Sequence, residues 1–404
     1  MANNLEVFSN GLLYENPFLL ASAPPTASYE QIDYAFNLGW AGAVTKTIGI
    51  SEVENSNVSP RFAAIKHKNR IEAFENIEML SEKHFNYWLN CIQKLKQRHP
   101  SKIVIASVMG TKGADSWTLI SQEVANAGAD AVELNFSCPN GVVKQGLGLA
   151  IGQNNEAISI ITNAVKANVN IPVIVKLTPN VTRITEPALA AISAGANGLC
   201  AINTVLGLIG IDIDTFKPKP DVNGYSAFGG ISGRAVKPIG LRCIAEISLA
   251  LKDKQNIRNS ISLHAVGGIS DWKDSVEYIL VGADVVQICT EVMVSGFNII
   301  DKLKSGLSDY LKRKEILSLD QIKGAAISNL TTHNNLDRNY KATATINYDK
   351  CKNCGTCLRI CNNSGGNAFH LNGEKTVIID KQKCTGCSLC NYTCPNQALF
   401  MSVN

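Results

Sequence analysis

The sequence predicts an α/β protein, a (β/α)8 TIM barrel followed by a second, small cysteine-rich domain. Three observations predict it. Eight short apolar runs recur through the first 290 residues, most of them separated by stretches long enough for a helix. A Gly-Ala-Asp or Gly-Ala-Asn triplet returns three times between a helical segment and an apolar run. Of the 13 cysteines, five are dispersed through the first 300 residues and eight crowd between 351 and 394, which marks a domain boundary.

The apolar runs lie at 18–22, 42–46, 103–107, 131–135, 173–177, 198–203, 262–266 and 284–289. They are rich in Val, Ile and Ala and do not alternate with polar residues, which suits strands buried on both faces of a parallel sheet. Helical periodicity fills the intervals, for example at 81–97, 116–127, 156–167 and 236–251. The alternation of β and α implies a parallel sheet, and eight units over about 300 residues fit a barrel. A doubly wound open sheet is the alternative, but no G-x-G-x-x-G follows the first run. The triplets Gly128-Ala-Asp130, Gly195-Ala-Asn197 and Gly282-Ala-Asp284, with Gly39-Trp-Ala-Gly42 as a looser copy, put glycine where a helix closes before a strand. Segments 48–80 and 205–232 are too long for plain connections, and loops of that length tend to be lids or binding loops. Helical character resumes at 294–311. The expected domains are residues 1–315 for the barrel, 316–345 for a polar linker and 346–404 for the cysteine-rich domain.

Composition excludes several classes of function. Hydrophobic residues are 45% of the chain and charged residues 18%, enough apolar surface for a sizeable core. Net charge is only +4 and no basic-aromatic stripe is present, so nucleic acid is not an expected partner. No run is long enough to span a bilayer, and Met1-Ala-Asn-Asn-Leu-Glu6 lacks the basic start of a signal peptide. A soluble, cytoplasmic protein without membrane contact is the expectation. In that setting dense cysteines argue for metal rather than disulfides.

The tail carries the strongest motif. Cys351-x2-Cys354-x2-Cys357-x3-Cys361 is followed by Cys384-x2-Cys387-x2-Cys390-x3-Cys394-Pro395. This is the spacing of a two-cluster bacterial ferredoxin, in which each run's distant fourth cysteine serves the other cluster. Cys351, Cys354, Cys357 and Cys394 should therefore hold one 4Fe-4S cluster, and Cys361, Cys384, Cys387 and Cys390 the second. Structural zinc on four cysteines is the competing reading. Two clusters in a small ferredoxin-like domain form an electron wire, so the barrel should hold a redox group.

Barrels gather their chemistry at the carboxyl ends of strands. There the sequence places Ser22, Lys46 and Thr47, Asn135 to Cys138, Lys176, Asn203 and Thr204, Val266 to Gly268, and Cys289 and Thr290. Lysines at the ends of apolar runs are costly to bury unless they face an anion. A flavin supplies one, with charge on its reduced ring and a phosphate. Gly267-Gly268 after the seventh run and Thr290 after the eighth fall where barrels build phosphate sites. The stretch Leu134-Asn-Phe-Ser-Cys-Pro-Asn-Gly141 packs an amide, a hydroxyl and a thiol behind the fourth run.

Nearly the whole chain resembles the flavin barrel and C-terminal iron-sulfur domain of dihydropyrimidine dehydrogenases, in particular the catalytic subunit of the bacterial NAD-dependent enzymes, within the dihydroorotate dehydrogenase-like superfamily. The stretches that carry the resemblance are Ala21-Ser-Ala23, Val44-Thr-Lys-Thr47, Asn76-Ile-Glu-Met-Leu-Ser-Glu-Lys83, Glu133-Leu-Asn-Phe-Ser-Cys-Pro139, Lys176-Leu-Thr-Pro-Asn180, Ile202-Asn-Thr-Val205, Gly229-Gly-Ile-Ser-Gly233 and Val266-Gly-Gly-Ile269. The resemblance implies FMN contacts at Ser22, Lys46, Thr47, Lys176, Gly233, Val266, Gly267, Gly268, Cys289 and Thr290. It implies a pyrimidine base bordered by Asn135, Phe136, Ser137, Asn203 and Thr204, with Cys138 protonating C5 while hydride reaches C6. Cys91, Cys200 and Cys243 read as buried filler. The resemblance also places a further substrate-binding asparagine four residues ahead of Trp117, where this chain has Gly113.

The implied activity is reduction of the 5,6 double bond of uracil or thymine. Electrons would come from NADH through a separate FAD and iron-sulfur subunit, since this chain has no dinucleotide fingerprint, and a homodimer or heterotetramer is expected. A dihydroorotate dehydrogenase is a rival reading, weakened by the missing Asn-Ser-Met-Gly-Leu-like loop and by the fused tail. An electron-transfer module with an idle barrel is another.

Overall fold

All eight apolar runs form strands, and they close into a parallel barrel: β1 Phe18–Leu20, β2 Gly42–Val44, β3 Ile103–Val108, β4 Ala131–Asn135, β5 Val173–Leu177, β6 Gly198–Ala201, β7 Ser262–Val266 and β8 Val285–Ile288. The computed structural model describes residues 5–50, 56–111, 113–136 and 149–403. The chain divides into two units, Met1–Asn329 and Leu330–Asn404.

The triplet repeat has a double role. Gly128, Gly195 and Gly282 take φ of 98°, 94° and 106°, the left-handed turn that ends each helix. The acidic or amide residue two positions on then ties the new strand to its neighbour. Asp130 accepts the Val104 N–H at 2.7 Å, Asn197 that of Val173 at 3.0 Å, and Asp284 that of Leu263 at 2.7 Å. Their backbone N–H groups donate back to the carbonyls of the same three residues. The repeat thus fixes the register of strand pairs at the base of the barrel. The hairpin Val7–Ser9 and Leu12–Tyr14 lies at that end, with the Tyr14 ring edge-on to His264 of β7.

The two segments that do not fit the repeat come together. Residues 62–76 form an antiparallel hairpin, Phe62–His67 with Arg70–Asn76, and its second strand pairs with Gly229–Ser232. Val205–Gly207 adds to Gly229–Ser232 on the other side, completing a four-stranded sheet. Glu75, fully buried, fastens the intervening loop by accepting N–H bonds from Ile209 at 2.5 Å and Gly229 at 2.8 Å. Residues 319–329 form short turns packed on the barrel unit, where Lys323 pairs with Asp284 at 2.9 Å.

The second unit is built from two related halves. Ala342–Ile346 pairs with Leu399–Val403 and Phe369–Leu371 with Val377–Ile379, all antiparallel. Helices Thr356–Asn363 and Leu389–Thr393 each follow a left-handed residue, Gly355 at φ 73° and Ser388 at φ 66°. Ala344, Phe369, Val377 and Leu399 form the core between them.

Candidate active site and cluster sites

A cleft of about 1040 Å³, counting its open mouth, lies where the carboxyl ends of the strands meet the four-stranded sheet. Its wall takes Ser22 after β1, Lys46 and Thr47 after β2, Asn135 at the end of β4 and Lys176 in β5. Asn203 and Thr204 after β6, Val266, Gly267 and Gly268 from the end of β7, and Cys289 and Thr290 after β8 complete the ring, with Gly233 beyond the sheet. Thirteen of the residues expected from sequence are thus brought to one cavity. Phe136 is not among them: its ring is buried against Trp117, centroids 5.0 Å apart. Ser137 and Cys138 lie outside the described residues.

The four-stranded sheet and the segment just after its hairpin add residues that strand-end reasoning does not reach, among them Asn76, Ile231 and Glu78. Asn76 Nδ2 donates to the Gly230 carbonyl at 3.2 Å. Gly113, at φ 91°, is not part of the lining, so the third amide of the cavity comes from the end of the hairpin. The sequence signal for these added residues is the resemblance of the stretches beginning at Asn76 and at Gly229.

Hydrogen bonds fix the polar wall as one network. Asn203 Nδ2 donates to Asn135 Oδ1 at 3.1 Å, and Asn135 Nδ2 donates to Thr47 Oγ1 at 2.9 Å. Thr47 Oγ1 also lies 3.2 Å from Ser22 Oγ and 3.1 Å from Ser107 Oγ. Asn203 Oδ1 accepts the Thr204 N–H at 2.8 Å, and the buried Thr204 hydroxyl has no partner among the described residues.

Both lysines are balanced by carboxylates. Lys46 Nζ is 2.6 Å from Glu78, which also takes Arg61 at 3.2 Å. Lys176 Nζ is 3.5 Å from Glu133 in the barrel centre. Burial is the largest influence on Lys176 and opposes its charge, but the Glu133 carboxylate, together with smaller contributions from its surroundings, lifts the ammonium above the usual lysine value. Burial pushes the Cys91 thiol up to about 12 and also raises Cys200 and Cys243, so these three stay inert.

These features fit FMN. Gly233, Gly267 and Gly268 have φ of 94°, 134° and 71°. A Cβ on Gly268 would stand 2.7 Å from the Lys237 backbone nitrogen, and one on Gly233 2.8 Å from the Glu72 carbonyl. Such close backbone leaves peptide N–H groups accessible to a phosphate. Ala21, Ile202 and Ile288 offer apolar surface for a flat ring, and the lysines offer positive charge for its reduced form.

In the second unit a cavity of about 360 Å³ is lined by Cys351, Cys354, Cys357 and Cys394, the interlocked set expected for one cluster. Cys361, Cys384 and Cys390 gather on the apolar core, with Cys387 exposed. Backbone N–H groups point at the sulfurs: Asn353 to Cys351 at 3.4 Å, Ala398 to Cys394 at 3.3 Å, Ala368 to Cys361 at 3.4 Å and Ala344 to Cys384 at 3.5 Å. Such donors stabilise the negative charge that thiolate ligands bring to a cluster.

Residues 4–311 match the family described as dihydroorotate dehydrogenase, and residues 344–401 match the 4Fe-4S dicluster domain. The NAD-dependent dihydropyrimidine dehydrogenase subunit PreA of Escherichia coli K12 is 37% identical over 366 residues, 90% of this chain and 87% of the relative. The chloroplastic dihydropyrimidine dehydrogenase (NADP(+)) of Arabidopsis thaliana is 35% identical over 344 residues, 84% of this chain and 80% of the relative. The dihydroorotate dehydrogenase B (NAD(+)) catalytic subunit of Pyrococcus abyssi is 35% identical over 323 residues, 80% of this chain and 99% of the relative. The chain therefore belongs to the dihydroorotate dehydrogenase family, as a dihydropyrimidine dehydrogenase-like FMN barrel joined to a domain for two 4Fe-4S clusters.

Proposed function

We propose that this chain is the catalytic subunit of an NAD-dependent dihydropyrimidine dehydrogenase that reduces the 5,6 double bond of uracil or thymine. The observation that carries this reading is the set of neutral amides, Asn76, Asn135 and Asn203, on one cavity. Each amide offers both a donor and an acceptor, the pattern of a pyrimidine edge with its alternating carbonyl and N–H groups. The network from Thr47 through Asn135 to Asn203 orients two of them before any base arrives.

When bound, FMN supplies the hydride for C6. The protein's part is to hold the base by its amides and to move one proton at C5, which we assign to the Cys138 thiol. Val266 to Gly268, Gly233 and Thr290 would hold the FMN phosphate, and Lys46 and Lys176 would offer positive charge to its reduced form. The eight tail cysteines hold the clusters that carry electrons from a partner FAD and iron-sulfur subunit that oxidises NADH. A homodimer or heterotetramer and a cytoplasmic location complete the reading. Among the described residues no helix is long and apolar enough to cross a membrane.

Two experiments test this. In anaerobic photoreduction with uracil, thymine or orotate added in turn, uracil or thymine should reoxidise the flavin, and faster reoxidation by orotate would reverse the assignment. Cys138→Ser should leave FMN and clusters in place yet slow turnover by about 10²-fold or more. Unchanged turnover removes Cys138 from its role.

A further inference from the structure

The charged side chains of the barrel interior lie on one side. Asn135, Lys176, Val266 and Gln287 all line the cleft, so their parity along the strands faces inward. The strand register then carries the same face to Glu133 in β4, Cys200 in β6, and Ser262 and His264 in β7. On the opposite side the inward positions are Leu19, Val44, Ile103 and Ile105, with Ser107 above them at the cleft end of β3. Beneath the cleft Gln287 Nε2 donates to Glu133 Oε2 at 3.4 Å and lies 3.3 Å from His264 Nδ1. An amide nitrogen only donates, so His264 Nδ1 accepts and its ring proton sits on Nε2. A carboxylate, an ammonium and an imidazole, all buried, are costly unless the arrangement serves something.

We propose that Glu133 is a positioning residue for the flavin: it holds Lys176 as an ammonium in the cleft, so that Lys176 keeps its proton in both flavin oxidation states. This rests on FMN occupying the cleft and not on which base is reduced. Glu133 is the carboxylate that pairs with Lys176, at 3.5 Å. Cys200 of β6 and Cys289 after β8 are thiols kept protonated by burial, Cys289 pushed up to about 11. Burial holds His264 of β7 down to about 4, so it is neutral, and Lys46 is matched by Glu78. Gln287 fixes the carboxylate from below. Without Glu133 nothing else in this set offsets the desolvation of Lys176, and buried lysines lacking a counter-charge titrate near about 5–6. Lys176 would then be neutral beside oxidised flavin and would gain a proton as negative charge arrives.

The test is a spectroelectrochemical titration of the flavin in the full FMN- and cluster-loaded chain, from about pH 6 to about pH 9. In Glu133→Gln the pH dependence of the flavin potential should steepen by up to one proton per two electrons relative to wild type. Glu133→Asp, which keeps the charge, should retain the wild-type slope. Lys176→Met added to Glu133→Gln should abolish the extra proton. A slope unchanged in Glu133→Gln, or an extra proton that survives Lys176→Met, overturns the proposal. A merely structural Glu133 would lower stability and leave all these slopes alike. Should Glu133→Gln fail to retain FMN, the pH dependence of FMN affinity in wild type decides. It should show no group titrating between about pH 6 and about pH 9 that Lys176→Gln removes, and finding one overturns the proposal. Wild-type protein that binds no FMN would instead sink the flavin reading itself, a separate result.

Discussion

Glu75 gives the sharpest prediction about how the cleft is walled. Its two carboxylate oxygens accept the N–H groups of Ile209 and Gly229, which bracket residues 210–228. Ile213, Phe216 and Tyr225 of that segment are largely exposed, so few apolar contacts hold it down. In Glu75→Gln the amide can accept only one of the two bonds and turns an N–H₂ toward the other donor. A hydrogen bond to a charged group contributes about 1.5–3 kcal/mol, and burying the carboxylate offsets part of it. A net loss of about 2 kcal/mol corresponds to about a 30-fold larger open population. Limited proteolysis reads that population when opening is fast relative to cleavage. Cleavage within 210–228 should accelerate by about 30-fold in Glu75→Gln, while barrel unfolding, followed by fluorescence of Trp40, Trp88, Trp117 and Trp272, hardly shifts. Because Ile231 to Gly233 follow directly and line the cleft, KM for the base should rise as well. Unchanged cleavage, or a fall in barrel stability as large as a core mutation gives, would refute the latch.

Asn76→Ala should weaken base binding by about 10- to 100-fold, the loss of one to two buried hydrogen bonds, with FMN content unchanged in the purified protein. His264 is held down to about 4 by burial, against 6.5 when unfolded, so the unfolded chain takes up the proton first. Its contribution is complete above pH 6.5 and is lost as pH falls toward 4, about 3 kcal/mol in all, and barrel denaturation in His264→Gln should show a flatter acid limb. Cys394→Ser should cut iron from about eight to about four atoms per chain by removing a ligand of the first cluster, and loss of zinc in place of iron would favour the structural-metal reading. Lys176→Met should cost the barrel about 3–5 kcal/mol by leaving Glu133 without its counter-charge, whereas Lys176→Met with Glu133→Leu should be neutral or stabilising by about 1–4 kcal/mol. Tryptophan fluorescence in urea separates the two.

Much of this architecture was legible because the physics is local. A strand buried on both faces must be apolar throughout, so Ile103–Val108 and Val173–Leu177 announce themselves. The glycine triplets report the turn into each strand, and Asp130 and Asp284 turn out to hold the next register as well. Cluster cysteines are closer still to a direct reading, since thiolate spacing is dictated by the cluster. What was not legible depends on register. Glu133 sits inside an apolar run and gives no hint that Lys176, 43 residues later, will meet it in the barrel centre. The pairing of residues 62–76 with Gly229–Ser232 joins strands more than 150 residues apart, and no periodicity in either stretch encodes its partner.

The two kinds of information meet in the cleft. In a parallel barrel every strand points its carboxyl end to one face, so strand position alone brings Ser22, Lys46, Asn135, Lys176, Asn203 and Cys289 to the same place. The fold determines that set whatever the chemistry. The opposite wall owes nothing to the barrel repeat: Asn76 and Glu78 reach the cleft because two long excursions pair with each other above it. That division has a chemical consequence. The barrel ends supply the lysines and glycines of the proposed flavin site, and the paired excursions supply Asn76 and Ile231 to the wall where the proposed base would lie. Exchanging the segments 62–80 and 205–232 for those of a dihydroorotate-oxidising relative should therefore move substrate preference toward orotate without displacing FMN, because Ser22, Lys46, Thr47, Lys176, Gly233, Val266 to Gly268, Cys289 and Thr290 all lie outside both segments.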